Sequence, residues 1–430
     1  DLIQKKEEGQ KHTREEIYSL VDGYMKGEIE DYQMSAWLMA VCFQGLDKDE
    51  TAWLTEAFVD SGEVLDFSHI SDFVADKHST GGVGDKVTIV LIPLLASLGV
   101  TCAKLSGRGL GYTGGTVDKL ESIPGFKCEM SKDEFMSQIK EINAAISSQS
   151  PNLTPADGKI YALRDVSATV DNKSLICASV VSKKIASGAN SIVLDVKYGS
   201  GAFIKTKEEA QELASLMIET GALLNRKISA IITSMEQPLG KNIGNSLEII
   251  ESIEFLKGNY EKDLYDVTLE IVAKTLIAGG LCKTKQEAKE KMDESIKSGS
   301  ALEMLKKIIA CQGGNPDVIN DYSLFHPAKN SVEIKAEQNG YISNLDALEI
   351  AHACKLLGAG RDKKTDPIDY SAGCILCKKT GDAVQKGETV LTLYHNDIKE
   401  EKLKEAKEHA GNSFLITNTK VTPPVLIYGV

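Results

Sequence analysis

The feature that most restricts the fold is a series of short apolar runs separated by segments with helical character. The runs that we predict as strands are Phe73–Ala75, Cys102–Leu105, Ser191–Val196 and Ile228–Thr233. Helices between them begin at the capping-box sequences Ser131-x-x-Glu134 and Thr206-x-x-Glu209. Strands that alternate with helices form a parallel sheet with crossover connections. The sequence therefore predicts an α/β domain with a mainly parallel sheet.

A second, all-helical domain is predicted beside it. Residues 1–66 contain capping boxes at Thr13-x-x-Glu16 and Asp47-x-x-Glu50 and apolar residues at helical spacing. Residues 156–188 are helical again and interrupt the strand series, so we expect them to rejoin the N-terminal helices in space. The α/β domain then consists of residues 67–155 and 189–330.

Residues 331–430 show a third sequence pattern, which predicts an α+β domain. Ser331–Ile342 indicates paired strands, and Gly381–Leu393 resembles the strand and turn pattern of lipoyl- and biotinyl-type barrels. No Met-Lys-Met or Asp-Lys-Ala modification sequence accompanies this pattern. We therefore expect a barrel-sandwich-like domain with a structural role.

Charge and hydropathy exclude several classes of protein. The formal charge is 49 − 62 = −13, which argues against a nucleic-acid or anionic-membrane partner. The first ten residues lack the apolar core of a signal peptide, and the longest apolar stretch, Val87–Val100, contains a proline and is too short to span a bilayer. We expect a cytoplasmic protein in which any anionic substrate meets local positive charge.

The cysteines favour the same compartment. There are nine, and an odd, scattered set fits reduced thiols better than a disulfide framework. Cys374 and Cys377 form a lone C-x-x-C, without a second ligand pair at the spacing of a zinc finger and without a helical pattern behind the first cysteine. The role of this pair stays open.

Residues 76–88, Asp-Lys-His-Ser-Thr-Gly-Gly-Val-Gly-Asp-Lys-Val-Thr, form a first glycine-rich loop with the groups that bind an oxyanion. Lys77 supplies charge, Ser79 and Thr80 supply hydroxyls, and the glycines allow backbone N–H groups to approach a phosphate. His78 is a candidate acid or hydrogen-bond donor. A helix predicted over residues 87–98 places the loop at a helix N-terminus, which favours an anion.

A second glycine-rich loop follows the next predicted strand. It has five glycines among residues 107–115, with Ser106, Thr113 and Thr116 as hydroxyl donors and Lys104 as a cation. Both loops follow strands of a parallel sheet, so they open at the carboxyl edge where ligands bind. The alternative is a tight connection without a ligand.

Two further groups are candidates. Tyr161 and Arg164 share one helix face, and Ser179 and Lys183 share another, so these side chains could read the carbonyl and imide edge of a planar base or could form solvated helix faces. The segment from residue 194 to 203 is again a strand followed by a glycine loop, in which Lys197 either faces the cleft or pairs with Asp195.

The two loops and the 194–203 segment, in this order and spacing, resemble the pyrimidine nucleoside phosphorylase and thymidine phosphorylase family over essentially the whole chain. The resemblance implies a homodimer whose helical and α/β domains close over a cleft. It implies reversible phosphorolysis of uridine, thymidine and deoxyuridine to free base and (deoxy)ribose 1-phosphate. The alternative is a thymidine phosphorylase restricted to 2'-deoxynucleosides, and Lys104 favours the broader range because broad-specificity members carry lysine there. Inorganic phosphate is the co-substrate, and no organic cofactor is implied.

The resemblance also implies roles for individual residues. The positions that hold phosphate in the family are Lys77, Ser79, Thr88, Lys104, Ser106 and Thr116. The positions that bind the base are Tyr161, Arg164, Ser179 and Lys183. The catalytic positions are His78, which assists the leaving base, with Arg164 and Lys183, which stabilise its negative charge.

The chain departs from the family pattern at two positions. Tyr112 replaces a histidine that most relatives have in the second loop. Lys86 replaces a threonine of many bacterial members, within a potassium site formed by the positions of Gly84, Leu239, Asn242 and Glu251. We hypothesise that the Lys86 ammonium reaches Glu251 and takes the place of the cation, which would reduce the dependence on potassium.

Two other functions compete with this interpretation. One is a phosphoribosyltransferase similar to the anthranilate enzyme, which shares the helical-plus-α/β architecture. The other is a catalytically idle relative that acts as a binding or signalling protein. The loop Lys, His and Ser residues, together with Arg164 and Lys183, are all present and favour the active phosphorylase.

Overall fold

The N-terminal region is a bundle of helices in a computed structural model that describes residues 1–109, 114–361 and 366–430. Its helices are α1 (Leu2–Glu7), α2 (Arg14–Lys26), α3 (Asp31–Gln44) and α4 (Lys48–Asp60). The capping boxes predicted at Thr13 and Asp47 both form, since each side chain accepts a hydrogen bond from the backbone N–H three residues later.

Two helices from the middle of the chain pack against this bundle. They are α8 (Pro155–Arg164) and α9 (Lys173–Ala186). Ile160 and Ala178 share a buried core with Trp37 of α3, while Val181 and Ile185 of α9 belong to a core of the α/β domain. Helix α9 therefore spans the junction between the helical bundle and the sheet.

The central element is a sheet with the strand order β13-β5-β4-β1-β2-β3 in the described part of the chain. These strands are β1 (Val74–Ser79), β2 (Thr101–Ser106), β3 (Ala144–Ser148), β4 (Ser191–Tyr198), β5 (Lys227–Ser234) and β13 (Ile427–Gly429). Strands β1 to β5 are parallel, whereas β13 is antiparallel to β5. The four predicted strands and the parallel sheet are confirmed. Strand β3, which is rich in Ala and Ser, and the return of the C-terminal strand to this sheet are not predicted from the sequence.

Helices cover both faces of the sheet. They are α5 (Val87–Ser97), α6 (Thr116–Leu120), α7 (Lys132–Ile142), α10 (Lys207–Leu223), α11 (Asn245–Leu256), α12 (Lys262–Ala278), α13 (Lys285–Ser298) and α14 (Ser300–Cys311), followed by 3₁₀ turns Pro316–Ile319 and Tyr322–Phe325. Helix α5, predicted after the first glycine loop, is buried along nearly its whole length, as its uniformly apolar sequence requires.

The C-terminal region contains two antiparallel sheets, ordered β10-β8-β12 and β6-β9-β11-β7. Their strands are β6 (Asn242–Gly244), β7 (Asn330–Lys335), β8 (Gly340–Leu345), β9 (Gly373–Leu376), β10 (Ala383–Val384), β11 (Thr389–His395) and β12 (Phe414–Thr417). The helices here are α15 (Ala347–Cys354), which continues as a π-helical turn over Lys355–Ala359, and α16 (Glu400–Asn412). The α+β character is as predicted.

One prediction for this region is wrong. Strands β7 and β8, expected to pair with each other, lie in different sheets, where β7 pairs with β11 and β8 pairs with β10 and β12. The chain between them does not close a hairpin because Ala336 exchanges backbone hydrogen bonds with Gly387 and Glu388 instead.

The topology brings the functional segments to one edge. Strand β1 lies between β2 and β4, so the loops that follow β1 and β2 leave the same carboxyl edge of the sheet, as predicted. Helices α8 and α9 face this edge. Among the helices of the described ranges, none combines the length and apolar composition that a membrane span needs.

Candidate active site

A cleft of about 510 Å³ opens at this edge, between the glycine loops and the helices α8 and α9. It is lined by most of the side chains that the sequence analysis selected. They are His78, Ser79, Thr88, Lys104, Ser106, Thr116, Tyr161, Ser179 and Lys183. Tyr112 and Thr113 of the second loop lie outside the described residues.

The first loop depends on glycine at two close contacts. Gly84 has φ +72°, and a Cβ atom there would lie 2.5 Å from the carbonyl oxygen of Leu239. A Cβ atom at Gly82 would lie 2.8 Å from Cδ of Lys197. Glycine therefore lets the loop pack directly on the segments beneath it.

Lys77 is buried below this loop in a cluster of charges. Its Nζ is 3.6 Å from Asp85 Oδ2 and 3.7 Å from Asp195 Oδ2, and it has no hydrogen-bond partner among the described residues. The ammonium is thus attracted by two carboxylates but bonded to neither. A buried donor left in this state is ready to bind an anion.

Lys197 is held much more firmly in the same cluster. Its Nζ lies 2.8 Å from Asp195 Oδ2 and donates to Thr233 Oγ1 at 3.1 Å. Burial alone would lower the pKa of Lys197, but Asp195 and Asp85 raise it. Of the two alternatives for Lys197, the structure has the pairing with Asp195.

Lys104 and Ser106, at the end of β2, add two more groups to the phosphate side. Lys104 Nζ is 3.2 Å from Asp76 Oδ1 and also donates to the carbonyl oxygen of Lys77. Burial lowers the pKa of Lys104 to about 7, although Asp76 opposes this shift. The Ser106 hydroxyl is buried and lacks a hydrogen-bond partner within the described ranges.

His78 follows Lys77 at the end of β1, on the cleft wall. Burial lowers the pKa of His78 well below its usual value, and the neighbouring Lys184, Lys104 and Lys77 lower it further. The imidazole is therefore neutral at physiological pH. A neutral imidazole can donate one hydrogen bond, whereas it has no imidazolium proton to release.

The helical side of the cleft presents a cation and two hydroxyls. Lys183 Nζ donates to Ser179 Oγ at 2.9 Å and lies 2.5 Å from Asp157 Oδ2. Its Nζ is 5.8 Å from the centre of the Tyr161 ring. Three of the four predicted base-binding side chains are therefore brought together.

Arg164 is the fourth, and the structure does not bring it into the lining of the cleft. Its guanidinium donates to the carbonyl oxygens of Thr169, Val170 and Leu175 at 3.1, 2.7 and 3.3 Å. Thr169 and Val170 belong to the connection between α8 and α9, and Leu175 belongs to the first turn of α9. The guanidinium carbon lies 5.6 Å from the Tyr161 ring, behind the cleft wall.

Lys86 occupies a separate position behind the first loop. Its Nζ donates to Glu251 Oε2 at 2.7 Å and to the carbonyl oxygen of Leu239 at 2.8 Å. The same carboxylate accepts the backbone N–H groups of Lys241 and Asn242 at 2.8 and 2.9 Å. The predicted contact between Lys86 and Glu251 is present.

Two of the predicted potassium ligands, Leu239 and Glu251, thus accept hydrogen bonds from the Lys86 ammonium. A third, the Asn242 side-chain amide, donates to the carbonyl oxygen of Leu247. Gly84, the fourth, packs against Leu239. The Lys86 ammonium therefore makes the contacts to Leu239 and Glu251 that the predicted potassium ion would use.

Three family models match the chain. The glycosyl transferase family helical bundle domain matches residues 1–62, and the a/b domain of the same family matches residues 71–302. The pyrimidine nucleoside phosphorylase C-terminal domain matches residues 341–416. The chain belongs to the pyrimidine nucleoside phosphorylase family.

Individual relatives agree. The chain is 47% identical to the pyrimidine-nucleoside phosphorylase of Geobacillus stearothermophilus, over 100% of this chain and 98% of the relative. It is 49% identical to the enzyme of the same name from Bacillus subtilis strain 168, over 92% of each chain.

Anthranilate phosphoribosyltransferase from Thermus thermophilus has a similar structure, with a TM-score of 0.58 and 18% identity over 73% of this chain and 99% of that one. This likeness shows a shared fold alone. The fold is therefore common to the phosphorylase family and to the competing phosphoribosyltransferase, and the sequence separates them.

Several charged residues of this phosphorylase-family site were not selected from the sequence. Asp76 and Asp85 lie in the first loop on either side of its glycines, Asp157 pairs with Lys183, and Lys184 lies next to Lys183. Asp157 stands four residues before Tyr161, on the same helix face, which is the signal that could have identified it.

Proposed function

We propose that this chain catalyses the reversible phosphorolysis of uridine, thymidine and deoxyuridine, which gives the free base and (deoxy)ribose 1-phosphate. The observation that carries the proposal is the buried Ser106 Oγ, which lines the same cleft as Lys183 and has no partner in the described residues. Lys77 Nζ, also without a partner there, lies beneath the loop, 3.6 Å from the cleft-lining Asp85. The family membership supports the same activity.

Phosphate is assigned to the loop side of the cleft. Lys77 and Lys104 supply charge, while Ser79, Ser106, Thr88 and Thr116 supply hydroxyl donors. Charge-assisted hydrogen bonds from several directions hold a phosphate in one orientation, with one oxygen aimed at C1′ of the nucleoside. Lys77 can turn from its two carboxylates to the ligand without breaking a hydrogen bond.

The pyrimidine is assigned to the helical side. As the glycosidic bond breaks, the sugar gains oxocarbenium character and negative charge develops on the base. Lys183 is placed to stabilise this charge, Ser179 and Tyr161 to orient the ring, and neutral His78 to donate to O2 of the base.

Arg164 has a conditional part in this proposal. Its Nη1 and Nη2 each use one N–H for a backbone carbonyl and keep a second one. We propose that Arg164 fixes the wall behind Tyr161 and offers these remaining N–H groups to the base when the two domains close. Closure would also exclude water, which competes with phosphate for C1′.

The deciding experiment measures release of uracil from uridine with and without inorganic phosphate. We expect release only with phosphate and formation of ribose 1-phosphate. Release of uracil that does not require phosphate, or a requirement for a phosphoribosyl pyrophosphate donor, would contradict the proposal. Comparison of uridine, thymidine and cytidine tests the substrate range, since a thymidine phosphorylase restricted to 2'-deoxynucleosides would leave uridine intact.

We further propose that the enzyme does not need potassium, because the Lys86 ammonium neutralises Glu251 and binds the Leu239 carbonyl. Activity in sodium buffer is expected to equal activity in potassium buffer. A Lys86→Thr variant is expected to need potassium. Wild-type activity that disappears without potassium would overturn this assignment.

A homodimer is proposed on the basis of α3. Its inner face is buried, yet Tyr32 is 73% and Phe43 82% exposed, with Met39 between them on the same outer face. An apolar stripe on an otherwise packed helix is typical of an interface, and two copies can bury such a stripe against each other. Analytical ultracentrifugation is expected to show a dimer that Phe43→Glu converts to monomer, while a wild-type monomer would contradict the proposal.

A cytoplasmic location is also proposed, and the nine unpaired cysteines support it.

A further inference from the structure

Lys184 is a buried lysine that neither the glycine loops nor the base-binding group includes. It follows Lys183 on α9 but points in another direction, toward the ends of β1 and β2. Its Nζ lies 3.0 Å from Asp76 Oδ2 and donates to the carbonyl oxygen of Leu105 at 3.1 Å. One turn of α9 thus carries one lysine for the cleft and another for the sheet edge.

Asp76 connects Lys184 to the phosphate side. While Oδ2 faces Lys184, Oδ1 faces Lys104 Nζ at 3.2 Å and accepts the backbone N–H of Lys77 at 2.7 Å. The carboxylate therefore bridges two ammonium groups and orients the start of the first loop. The second contact of Lys184, the Leu105 carbonyl, immediately precedes Ser106, so it fixes the backbone that carries this hydroxyl.

The charges around Lys104 come from two of its neighbouring elements, β1 and α9. Asp76, Lys77 and His78 face it from β1, Lys184 faces it from α9, and the adjacent strand β3 has no charged residue. Burial lowers the pKa of Lys104 to about 7, Asp76 raises it, and Lys184 and Lys77 lower it. Lys104 thus loses its charge near neutral pH. Asp76 raises the pKa at which this happens, and Lys184 lowers it.

We propose that Lys184 is a positioning residue for phosphate, which holds Lys104 through Asp76 and Ser106 through the Leu105 carbonyl. The identity of the ligand rests on the proposed function. Because Lys183 and Lys184 are neighbours on α9, the helix that contacts the base also sets the charge and geometry of the phosphate side.

The test is the dissociation constant of inorganic phosphate, measured by calorimetry on the full chain between about pH 6 and pH 8.5, across the range where Lys104 titrates. The charged form of Lys104 attracts phosphate, so the contribution of Lys104 to wild-type affinity falls as the pH rises through the pKa of Lys104. Division of each variant's dissociation constant by the wild-type value at the same pH cancels the ionisation of phosphate itself.

Lys184→Met removes a positive charge that repels the Lys104 proton, so the pKa of Lys104 rises. We expect the ratio of the variant's dissociation constant to the wild-type value to be about 10 at the acidic end, from the lost hydrogen bond to Leu105 and the lost ion pair with Asp76. It should fall toward 1 at the alkaline end, where only the variant keeps Lys104 charged. A ratio of 1 throughout, or a ratio that does not change with pH, would overturn the proposal.

Asp76→Asn provides the second arm and carries the test if Lys184→Met does not fold. Loss of the carboxylate lowers the pKa of Lys104, so here the ratio is expected to rise with pH. A fall or a constant ratio would contradict the proposal. Lys173→Met, the same substitution at an exposed position of α9 that pairs with Glu212, is the matched control and is expected to give a ratio of 1.

The measurement uses phosphate without nucleoside, so it separates this inference from the proposed function. Failure to release uracil, together with the two opposite pH trends, would refute the phosphorolysis proposal and leave the role of Lys184 in place. Normal phosphorolysis with pH-independent ratios would refute the role of Lys184 alone.

Discussion

Two buried lysines lie on either side of the glycines of the first loop. Their comparison distinguishes a lysine that stabilises the fold from a lysine that binds a ligand. Lys86 is bonded to a carboxylate and a carbonyl at 2.7 and 2.8 Å, whereas Lys77 stays 3.6 and 3.7 Å from its two carboxylates. Burial of an ammonium costs free energy unless the group is paired. The long contacts of Lys77 offset only part of this cost, so an anionic ligand that binds Lys77 can offset the rest. For these two lysines, the tight pairing of Lys86 indicates a structural role, and the loose pairing of Lys77 among several charges indicates a role in binding.

The largest effect is expected from Lys86→Met. This substitution leaves Glu251 buried without its cation, and breaking a buried pair in this way costs about 3–5 kcal/mol of folding free energy. Burial opposes the charge on Lys86, but Glu251 raises the pKa of Lys86, so the pair is ionised in the wild type. Urea denaturation in potassium-free buffer measures the loss.

Lys241→Met is the matched control for this prediction, because Lys241 makes a partly exposed pair with Glu261 at 2.7 Å. Such pairs contribute about 1 kcal/mol or less. Equal stability of Lys86→Met and Lys241→Met would show that Lys86 is not the structural lysine of the comparison.

Lys77→Met is expected to show the opposite pattern. Removal of a donor that stabilises the reacting phosphate lowers kcat/KM by about 10²–10³. The loss of stability should be smaller than for Lys86→Met, because the Lys77 side chain makes no hydrogen bond within the described residues. Steady-state kinetics with varied phosphate, beside urea denaturation, gives both numbers. A variant that loses stability but keeps its kcat/KM would reverse the assignment of the two lysines.

The sequence predicts the loops better than it predicts the charges between them. Glycines and hydroxyls are close together in the chain, so a local pattern reveals them, and the reach of Lys86 to Glu251 followed from the resemblance to a known family. The pairs Lys183–Asp157 and Lys184–Asp76 join different helices and strands, and no periodicity reports such contacts. These pairs emerge only when the helices return to the sheet edge.

Arg164 shows a second limit of sequence reasoning. Its spacing from Tyr161 indicates a shared side of α8, but helix spacing says nothing about which backbone carbonyls the neighbouring segment brings within reach. The guanidinium donates to the carbonyl oxygens of Thr169, Val170 and Leu175, and the side chain lies behind the cleft. Similarly, the pairing of β7 with β11 depends on contacts between distant segments that alternation within one strand does not encode.

The base side extends the comparison. Lys183→Ala removes a cation that lines the cleft, so we expect kcat/KM to fall by about 10² with little change in stability. Arg164→Ala should lower both kcat/KM and stability, the latter by about 1–3 kcal/mol, because buried carbonyl oxygens lose their donor. Kinetics and urea denaturation of both variants test this difference. Wild-type turnover in both variants would remove the base-binding assignment.

The smallest kinetic effect tests why Lys77 stays loosely held. Lys197 bonds Asp195 at 2.8 Å and therefore satisfies a carboxylate that would otherwise compete for Lys77. In Lys197→Met, Asp195 is expected to attract Lys77 more strongly and raise the KM for phosphate. A second substitution, Asp195→Asn, should then release Lys77 and restore part of the affinity, with a coupling energy of about 0.5–3 kcal/mol between the two sites. The double-mutant cycle is read from the KM for phosphate, with the KM for uridine as the internal control. Additive effects would mean that Lys197 only supports the loop under Gly82, and that the availability of Lys77 has another origin.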